Sequence, residues 1–450
     1  GKILSLCHAI ISGQSTDATS KPEVEDFLNL LCGPRQYARK TLRRAYKVFK
    51  KRRQSIATQA DPAPRSINEA LMGERAEEWL ISINKEWDGL CEQGVFSHDH
   101  TLADLKKIGI VGKPVPCSTA LTHKYKDGIL EKLKTRICIA GHKGNVTKGI
   151  HYSDVFSPSP IQHTEKLLQA MMVNLDLQNL TWDVKQAYTW APLPAGERIA
   201  VVYPPGFKRF NEDGEEMYAV LEKNLYGMPN AARGWGKHRD NFILNHFNKD
   251  GWECHRCLSD PCLFVIDRIK PIPKQKDSST NEKKRTSIRS WVLIHTDDCD
   301  AYGKDMDVLH EINDIMNEEW ATEIVDSSFV LGVKRERGHD ADGKRYCKMS
   351  MTSFISDLYS AFQEEYKEAF PKKKTYKTAF PENIMLSKSI DPGEGEVKRN
   401  IDRGYQRLIG SLLWAVRHVY PQCAYGCSQL CKLMSAPTDL AWLCALHMPL

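Results

Sequence analysis

Two spacings of apolar residues alternate along this chain, and they predict helices interleaved with short strands. Trp79, Ile83, Trp87 and Leu90 recur at helical spacing, which predicts an amphipathic helix that ends near Gly94. Further helices are predicted over residues 165–177, 230–248, 307–320, 352–369, 401–419 and 422–434.

The strand pattern is an alternation of apolar and polar residues between turn residues. The runs KPVPCSTALTHKY and KLKTRICIAGHKG flank the turn Lys126-Asp127-Gly128, and together they predict a hairpin. Other strands are predicted over residues 179–188, 262–267, 291–296 and 329–337. Helices that alternate with hairpin strands indicate an α+β fold with an antiparallel sheet.

The composition is that of an ordinary globular protein, with 41% hydrophobic and 27% charged residues among 450. No apolar run approaches the roughly 18–20 residues that span a bilayer, so we expect no membrane association. Residues 35–54 carry ten Lys or Arg and no acid, and residues 268–289 carry eight against Asp277 and Glu282. Either cluster suits contact with nucleic-acid phosphates or an ordinary solvated basic segment.

Residues 1–66 combine the first basic stretch with the breaker-rich run TQADPAPRS, and this combination predicts a linker. The chain starts without Met and stops at HMPL, so we expect an interior piece of a longer polypeptide. Among fourteen cysteines, Cys254 and Cys257 form a CxxC without a second pair at zinc-site distance. Scattered thiols favour a reducing, intracellular compartment.

The candidate chemistry lies in the run LIHTDDCDAYG, where an apolar strand leads into Asp297 and Asp298. Asp183 stands in a similar strand pattern much earlier in the chain. If the two strands are neighbours, three carboxylates converge, and they cannot all stay ionised without a cation. Mg²⁺ prefers oxygen ligands, and two ions about 3.5–4 Å apart promote in-line phosphoryl displacement. An Asp-rich turn is the alternative for the pair alone. Cys299 and Asp300, which follow it, are expected to be incidental.

Blocks along the chain resemble the reverse transcriptase of copia-type LTR retrotransposons, in the same order and at similar spacing. They are EWDGLCEQGVF, KPVPC, KTRICIAG, HYSDVFSPSP, WDVKQAY, YPPGF, LEKNLYGMPNAARGW, DPCLFV, LIHTDDCDAYG, FVLGV and GYQRLIGSLLWAVRHVYPQCAYGCSQL. The resemblance covers roughly residues 75–450, and many collinear blocks are far more specific than one Asp-Asp pair.

The resemblance implies a right-hand polymerase, with a fingers-like region at 75–180 and a palm at 150–345 that holds the antiparallel sheet. A helical thumb-like region is expected at 346–450, and the basic segment 268–289 is expected to be an exposed, mobile insertion in the palm. Residues 1–66 would then connect to an upstream integrase, and a ribonuclease H domain would follow the last residue.

The activity implied by the resemblance is RNA-directed DNA polymerisation, in which a primer 3′-hydroxyl attacks the α-phosphate of a dNTP and pyrophosphate leaves. Asp183, Asp297 and Asp298 match the family's catalytic and metal-binding aspartates, and Val184 is included in the metal site. The implied cofactor is Mg²⁺, as two ions, with Mn²⁺ as a substitute. A catalytically decayed relic that binds nucleic acid and a metal-dependent nuclease remain as alternatives.

The nucleotide-binding positions follow from the same resemblance. Tyr188 matches the aromatic ring that excludes a ribose 2′-hydroxyl by steric clash, the alternative being a tyrosine of the sheet core. Lys134 and Arg136 match fingers residues that hold the triphosphate, with a solvated strand edge as the alternative. The block LYGMPNAARGW adds three pocket positions, with the glycine expected to let the backbone approach the incoming base pair: Tyr226, Gly227 and Asn230.

The primer-binding positions implied by the resemblance are His295, Thr296, Phe329, Leu331 and Gly332. A plain core strand is the alternative for the last three. The family usually has an aromatic and an aliphatic residue in place of His295-Thr296, and the effect of this departure is not predicted.

The resemblance also implies partners and a location. The expected partners are an RNA or DNA template with its primer, dNTPs, and the integrase and ribonuclease H linked in a parent polyprotein. The expected location is intracellular, in a cytoplasmic virus-like particle, the nucleus or both.

Overall fold

The structure, a computed structural model, describes residues 63–448 apart from short gaps. The gaps are 111, 127–128, 143, 195, 272–284, 371–377, 379, 382–383, 385, 388–392 and 394. Almost all of the predicted linker, the basic stretch 35–54 and the Asp127-Gly128 turn therefore lie outside the described residues.

Helices and strands alternate through the described residues. The helices are α1 (Ile67–Leu71), α2 (Ala76–Glu92), α3 (Leu102–Lys107), α4 (Gln162–Leu175), α5 (Ala231–His246), α6 (Met306–Glu319), α7 (Thr352–Ala361), α8 (Gln363–Ala369), α9 (Glu396–Asp402), α10 (Tyr405–His418), α11 (Ala424–Cys431) and α12 (Asp439–His447). The strands are β1 (Phe96–His100), β2 (Val115–Lys126), β3 (Ile129–Ile139), β4 (Gln178–Val184), β5 (Ala200–Val202), β6 (Tyr218–Leu221), β7 (Trp252–Arg256), β8 (Leu263–Pro271), β9 (Arg285–His295), β10 (Asp298–Gly303), β11 (Thr322–Val325), β12 (Phe329–Val330), β13 (Val333–His339) and β14 (Arg345–Ser350). The predicted α+β class is confirmed.

The chain divides into two compact units, each built from two separate segments. The first unit takes its described residues from Gly1–Pro158 and Val184–Phe247. The second takes them from Ser159–Asp183 and Asn248–Leu450. This division does not test the boundaries predicted for the fingers, palm and thumb, which stay a prediction.

A five-stranded sheet in the order β1-β6-β5-β2-β3 organises the first unit. The antiparallel β2–β3 pair is the hairpin that the alternation predicts. Helix α2 is the predicted amphipathic helix, and its apolar stripe from Trp79 to Leu90 is buried against residues of this sheet. The helical spacing was sufficient to predict it because one apolar face needs one partner surface.

A six-stranded sheet in the order β11-β4-β10-β9-β8-β7 organises the second unit. Helix α4 packs on it through Leu168 and Met172, which share a core with Leu293 and Tyr302. Strands β12, β13 and β14 form a separate three-stranded sheet. The helices from α7 onward enclose a further core around Tyr405.

Two predicted strands have different ends in the structure. The run 329–337 is a hairpin, since β12 and β13 pair antiparallel around a turn at Leu331-Gly332. Leu331 stands where a primed turn usually has Asn, Asp or Gly, so the turn lacked its usual sequence signal. The run 179–188 leaves the sheet after Val184, and Tyr188 lies in a 3₁₀ turn.

The basic segment 268–289 is strand at both ends. Strands β8 and β9 continue their antiparallel pairing out to Pro271 and Arg285. The prediction of a loop over this whole segment is therefore wrong at its ends, and residues 272–284 lie outside the described residues. Charged residues on exposed strand positions hid the extension, because the pattern lacks apolar alternation there.

The described part of the chain contains no helix that is both long and apolar enough to cross a membrane.

Candidate active site

Strand pairing places the first predicted carboxylate beside the second. Strands β4 and β10 are antiparallel neighbours, and Asp298 is the direct register partner of Asp183. Side chains of directly opposed residues lie on the same face of a sheet, with Cβ atoms about 4.5–5.5 Å apart. The prediction that these two distant segments are adjacent strands is confirmed. Val184, at the end of β4, is buried and has no side-chain oxygen, so only its carbonyl can be a ligand.

The third carboxylate lies in the turn that precedes β10. His295 pairs with Asp298, so Thr296 and Asp297 form a two-residue loop between β9 and β10. Thr296 has a φ of 60°. Two-residue hairpin loops need a positive φ at their first central residue, which glycine adopts without strain and a β-branched residue does not. The turn that carries Asp297 therefore stores backbone strain, a feature that clusters at functional sites.

The electrostatics of Asp298 report the crowding of carboxylates. Burial, together with the charges of Asp297 and Asp300, raises the pKa of Asp298 to about 6. Among the described residues no three or more His, Cys, Asp or Glu side chains form a ready-made metal cluster. The donors that are present, opposed and adjacent carboxylates, fit a hard divalent cation that takes its other ligands from water and substrate phosphates.

Asp300 is not incidental, and that expectation is wrong. Its side chain is buried and forms an ion pair with Arg335 of β13, with 2.8 Å between Oδ2 and Nη1. The hydroxyl of Thr181 donates to its Oδ1 at 3.0 Å, and the Tyr302 hydroxyl donates to its Oδ2. Arg335 also contacts Glu165 of α4, with 2.9 Å between Nη2 and Oε1. Cys299 is buried on the opposite face of the strand.

The sequence did contain a signal for this buried network. Arg335 follows Val333 by two residues, so it lies on the inward face of β13. Glu165 lies one helical turn before the buried Leu168. The signal in the sequence is a charged residue at a position where the pattern expects an apolar one. This signal predicts a buried charge but does not identify its partner.

The predicted primer-binding residues fall into two hairpin turns of the second unit. His295 and Thr296 border or form the β9–β10 turn. Leu331 and Gly332 form the β12–β13 turn, with φ of 51° and 80°. Phe329 is 55% exposed, so it is not the core residue of the alternative interpretation. An exposed aromatic ring at a hairpin is available for contact with a ligand.

Three of the predicted nucleotide-binding residues come together in the first unit. The guanidinium of Arg136 lies over the ring of Tyr226, 5.4 Å from its centroid. The ring of Tyr188 lies 5.3 Å from that of Tyr226. Nε of Arg136 is buried and has no hydrogen-bond partner among the described residues. Lys134 lies two residues before Arg136 on the same face of β3.

Glu86 of α2 joins these cations and was not singled out from the sequence. Its Oε1 accepts a hydrogen bond from the backbone N–H of Ile137 at 3.3 Å. Burial raises its pKa, while that hydrogen bond and the charges of Lys134 and Arg136 act in the opposite direction. Glu86 precedes Trp87 on the apolar side of the helix, so the signal was again a charge at an apolar position.

The structure gives packing reasons for a glycine at position 227 and an asparagine at position 230, and the sequence did not predict these reasons. A Cβ at Gly227 would lie 2.2 Å from the carbonyl oxygen of Ile139, so glycine is required by close approach to β3. Asn230 is 3% exposed, and its Nδ2 donates to Glu197 at 2.8 Å. The assignment of Asn230 to the nucleotide pocket stays a prediction, and the structure adds that its side chain is enclosed within the first unit.

Comparison with known proteins gives a family match for part of the chain. Residues 102–255 match the reverse transcriptase (RNA-dependent DNA polymerase) family. The chain is 24% identical over 389 residues to the Pol polyprotein of transposon TNT 1-94 from Nicotiana tabacum, covering 85% of the chain and 26% of the relative. It is 23% identical to that of transposon RE1 from Arabidopsis thaliana, covering 86% and 23%. Over these residues the chain is similar to a reverse transcriptase domain, and both relatives are transposon Pol polyproteins of the copia type.

The chain spans about a quarter of the length of these two relatives. The matched residues include Arg136, Asp183 and Tyr188, while Asp297 and Asp298 lie beyond them. Among solved structures, a foamy viral protease–reverse transcriptase bound to double-stranded DNA aligns with 94% of this chain and 62% of its own, at 11% identity and a TM-score of 0.31. Reverse transcriptases as a family generally use divalent metal ions.

Proposed function

We propose that this reverse transcriptase domain is an RNA-directed DNA polymerase that extends a DNA or RNA primer with dNTPs during retrotransposon replication. The observation that carries the proposal is the register pairing of Asp183 with Asp298 beside the strained turn of Asp297. This pairing places carboxylates together at one end of a sheet, where burial and the charges of Asp297 and Asp300 raise the pKa of Asp298 to about 6.

The residues that would hold two Mg²⁺ ions are Asp183, Asp297 and Asp298, with the carbonyl of Val184. Bound there, the ions would supply charge neutralisation for the attacking 3′-hydroxyl and the leaving pyrophosphate. Mn²⁺ has the same preference for oxygen ligands and would substitute. Asp183 and Asp298 themselves would fix where the reacting phosphate can lie, because they stand on paired strands of a packed sheet, and Asp297 lies in the turn directly before β10.

The first unit supplies the nucleotide contacts in this proposal. Lys134 and Arg136 hold the triphosphate with positive charge, and the unpaired Nε of Arg136 is a donor available to a phosphate oxygen. The ring of Tyr188, supported by Tyr226, occupies the space that a ribose 2′-hydroxyl would need. In the second unit, Phe329 and the Leu331-Gly332 turn contact the primer end.

Primer extension tests the proposal directly. The whole chain is incubated with a DNA primer on an RNA template, dNTPs and Mg²⁺, and wild type is compared with Asp297→Asn. We expect extension by wild type and a loss of about 100-fold or more in the variant, because removing one metal ligand withdraws charge stabilisation from the transition state. Binding without extension would favour a decayed relic, and cleavage of the strands would favour a nuclease.

The proposed partners follow from the activity and from the relatives. They are an RNA or DNA template with its primer, dNTPs, and integrase and ribonuclease H segments of a parent polyprotein. The proposed location is a cytoplasmic virus-like particle, the nucleus or both. Cofractionation of the chain with template RNA in particles from expressing cells tests this location.

A further inference from the structure

The buried ion triad of Arg335, Asp300 and Glu165 joins three elements of the second unit. Arg335 lies on β13, Asp300 on β10 and Glu165 on α4. The side chain of Arg335 is 1% exposed, and those of Asp300 and Glu165 are 7% and 8% exposed. Nη1 of Arg335 lies 2.8 Å from Asp300 and Nη2 of Arg335 lies 2.9 Å from Glu165, so one guanidinium bridges two carboxylates.

The triad is next to the candidate metal site along the sheet. Asp300 pairs in register with Thr181. This pair lies two residues further along the strands than the Asp298–Asp183 pair. Residues two apart on a strand share a face, so Asp300 lies on the same face as Asp298 and about 7 Å along the strand. Asp300 and Asp298 are therefore joined through one intervening residue of the same strand.

Arg335 lies on β13, the strand that follows the β12–β13 turn. Arg335 is three residues after Gly332, and β12, β13 and β14 form a sheet separate from the one that carries the carboxylates. Arg335 therefore bridges the sheet with the exposed Phe329 hairpin to the sheet with Asp298. Its planar guanidinium holds both carboxylates in fixed geometry, which a lysine cannot do.

A stabilising function does not by itself explain charged residues at these positions. Burying three charges is costly, and replacement of such triads by apolar residues is often neutral or stabilising. What apolar packing lacks is directional hydrogen bonding, which fixes one arrangement of two sheets. A requirement for position would explain three charged residues at these buried places.

We infer that Arg335 is a positioning residue that, through Asp300, fixes the β12–β13 hairpin relative to the Asp298 strand and so sets where the primer 3′-end lies. The inference rests on the proposed polymerase function and adds a determinant of its geometry. A small displacement of reacting groups is sufficient to slow chemistry by large factors, because the 3′-hydroxyl must be aligned with the phosphate.

The test uses Arg335→Lys, which keeps the charge and loses the two-carboxylate bridge. Arg345→Gln is the matched control, since Arg345 forms an exposed ion pair with Asp176 from the same three-stranded sheet. A primer with 2-aminopurine at its 3′-end is bound on an RNA template, and the fluorescence of the bound complex is recorded. Single-turnover extension of the primer is measured at saturating dNTP.

We expect Arg335→Lys to shift the 2-aminopurine fluorescence and to slow single-turnover extension by roughly 10- to 100-fold. Primer–template affinity and the apparent dNTP affinity should stay within about threefold of wild type, and Arg345→Gln should match wild type throughout. Unchanged fluorescence and extension in folded Arg335→Lys would overturn the inference. If that variant melts below the assay temperature, the uncharged combination Arg335→Met, Asp300→Asn and Glu165→Gln is measured against the same expectations.

The two proposals fail in different ways. Absence of extension by wild type contradicts the polymerase function. The fluorescence comparison needs binding alone, so it decides the positioning inference whether or not extension is seen.

Discussion

At Asp298, burial and two neighbouring carboxylates act in the same direction, and the pKa rises to about 6 from an ordinary value of 3.8. A carboxyl whose pKa is higher in the folded state binds more protons there than in the unfolded state. The metal-free protein therefore loses stability as pH rises from about 4 to 6, and the loss persists above 6. The sequence predicted the carboxylate pair, and burial of Asp298 in the fold is the largest cause of the raised pKa.

The first prediction concerns Asp298→Asn in EDTA. We expect the variant to exceed wild type by about 1–2 kcal/mol in the free energy of unfolding at pH 7, after allowance for partial solvent screening. The difference should vanish near pH 4, where wild type is protonated. Added Mg²⁺ should stabilise wild type and leave the variant unchanged. Thermal unfolding between pH 4 and 7.5 measures this, and parallel pH profiles for the two proteins would contradict it.

The second prediction concerns Tyr188. Replacement by Ala should raise the ratio of rNTP to dNTP incorporation by roughly 10- to 200-fold, because the clash with the 2′-hydroxyl is removed. Tyr188→Phe keeps the ring and should keep the discrimination. Single-nucleotide extension with matched rNTP and dNTP gives the ratio, and equal ratios in the Ala and Phe variants would refute the steric gate.

At the scale of elements, the sequence predicted the helices and strands that bury one apolar face. It did not predict the contacts of polar side chains that face inward. Helix α2 and the β2–β3 hairpin follow from spacing alone, since each buries one apolar face. The sequence raised the pairing of β4 with β10 only as the condition for three carboxylates to converge, and the family resemblance supported it; the structure shows the pairing. The Arg335 network could not be predicted, because its partners come from β10 and α4, and a single sequence does not specify such long-range contacts.

The third prediction concerns the β9–β10 turn. Thr296→Gly should raise the free energy of unfolding by about 1 kcal/mol, because glycine adopts the positive φ without strain. It should also slow extension, since a looser turn fixes Asp297 less well. Thr296→Ala keeps a Cβ at the strained position and serves as the control. Chemical denaturation compares the variants, and equal stability of the Gly and Ala proteins would argue against strain at this turn.

At the scale of the whole molecule, the proposed function makes net charge a determinant of how tightly the chain would bind nucleic acid. The total is +6, and ten of the basic residues lie in residues 35–54, which are outside the described residues. Binding to a phosphate backbone releases counterions, so affinity falls with salt in proportion to the number of phosphates that the protein neutralises. The function of this stretch is therefore open to measurement without knowledge of its structure.

The fourth prediction concerns that basic stretch. Replacement of Lys50, Lys51, Arg52 and Arg53 by Gln should lower primer–template affinity at low salt. The slope of log affinity against log salt should become shallower by about 0.9 for each duplex phosphate that the variant no longer neutralises. Fluorescence anisotropy from 50 to 300 mM salt provides the slope. An unchanged slope would show that these four residues do not contact the phosphate backbone.

Asp183 is the residue on which the proposed site depends most, because its pairing with Asp298 joins two distant segments of the chain. The decisive measurement is single-turnover primer extension by Asp183→Asn, with Asp176→Asn as the control, since Asp176 is an exposed aspartate seven residues earlier. We expect Asp183→Asn to bind primer–template like wild type and to extend it about 1,000-fold more slowly. Asp176→Asn should extend at the wild-type rate. Extension by Asp183→Asn within threefold of wild type would contradict the assignment of this site.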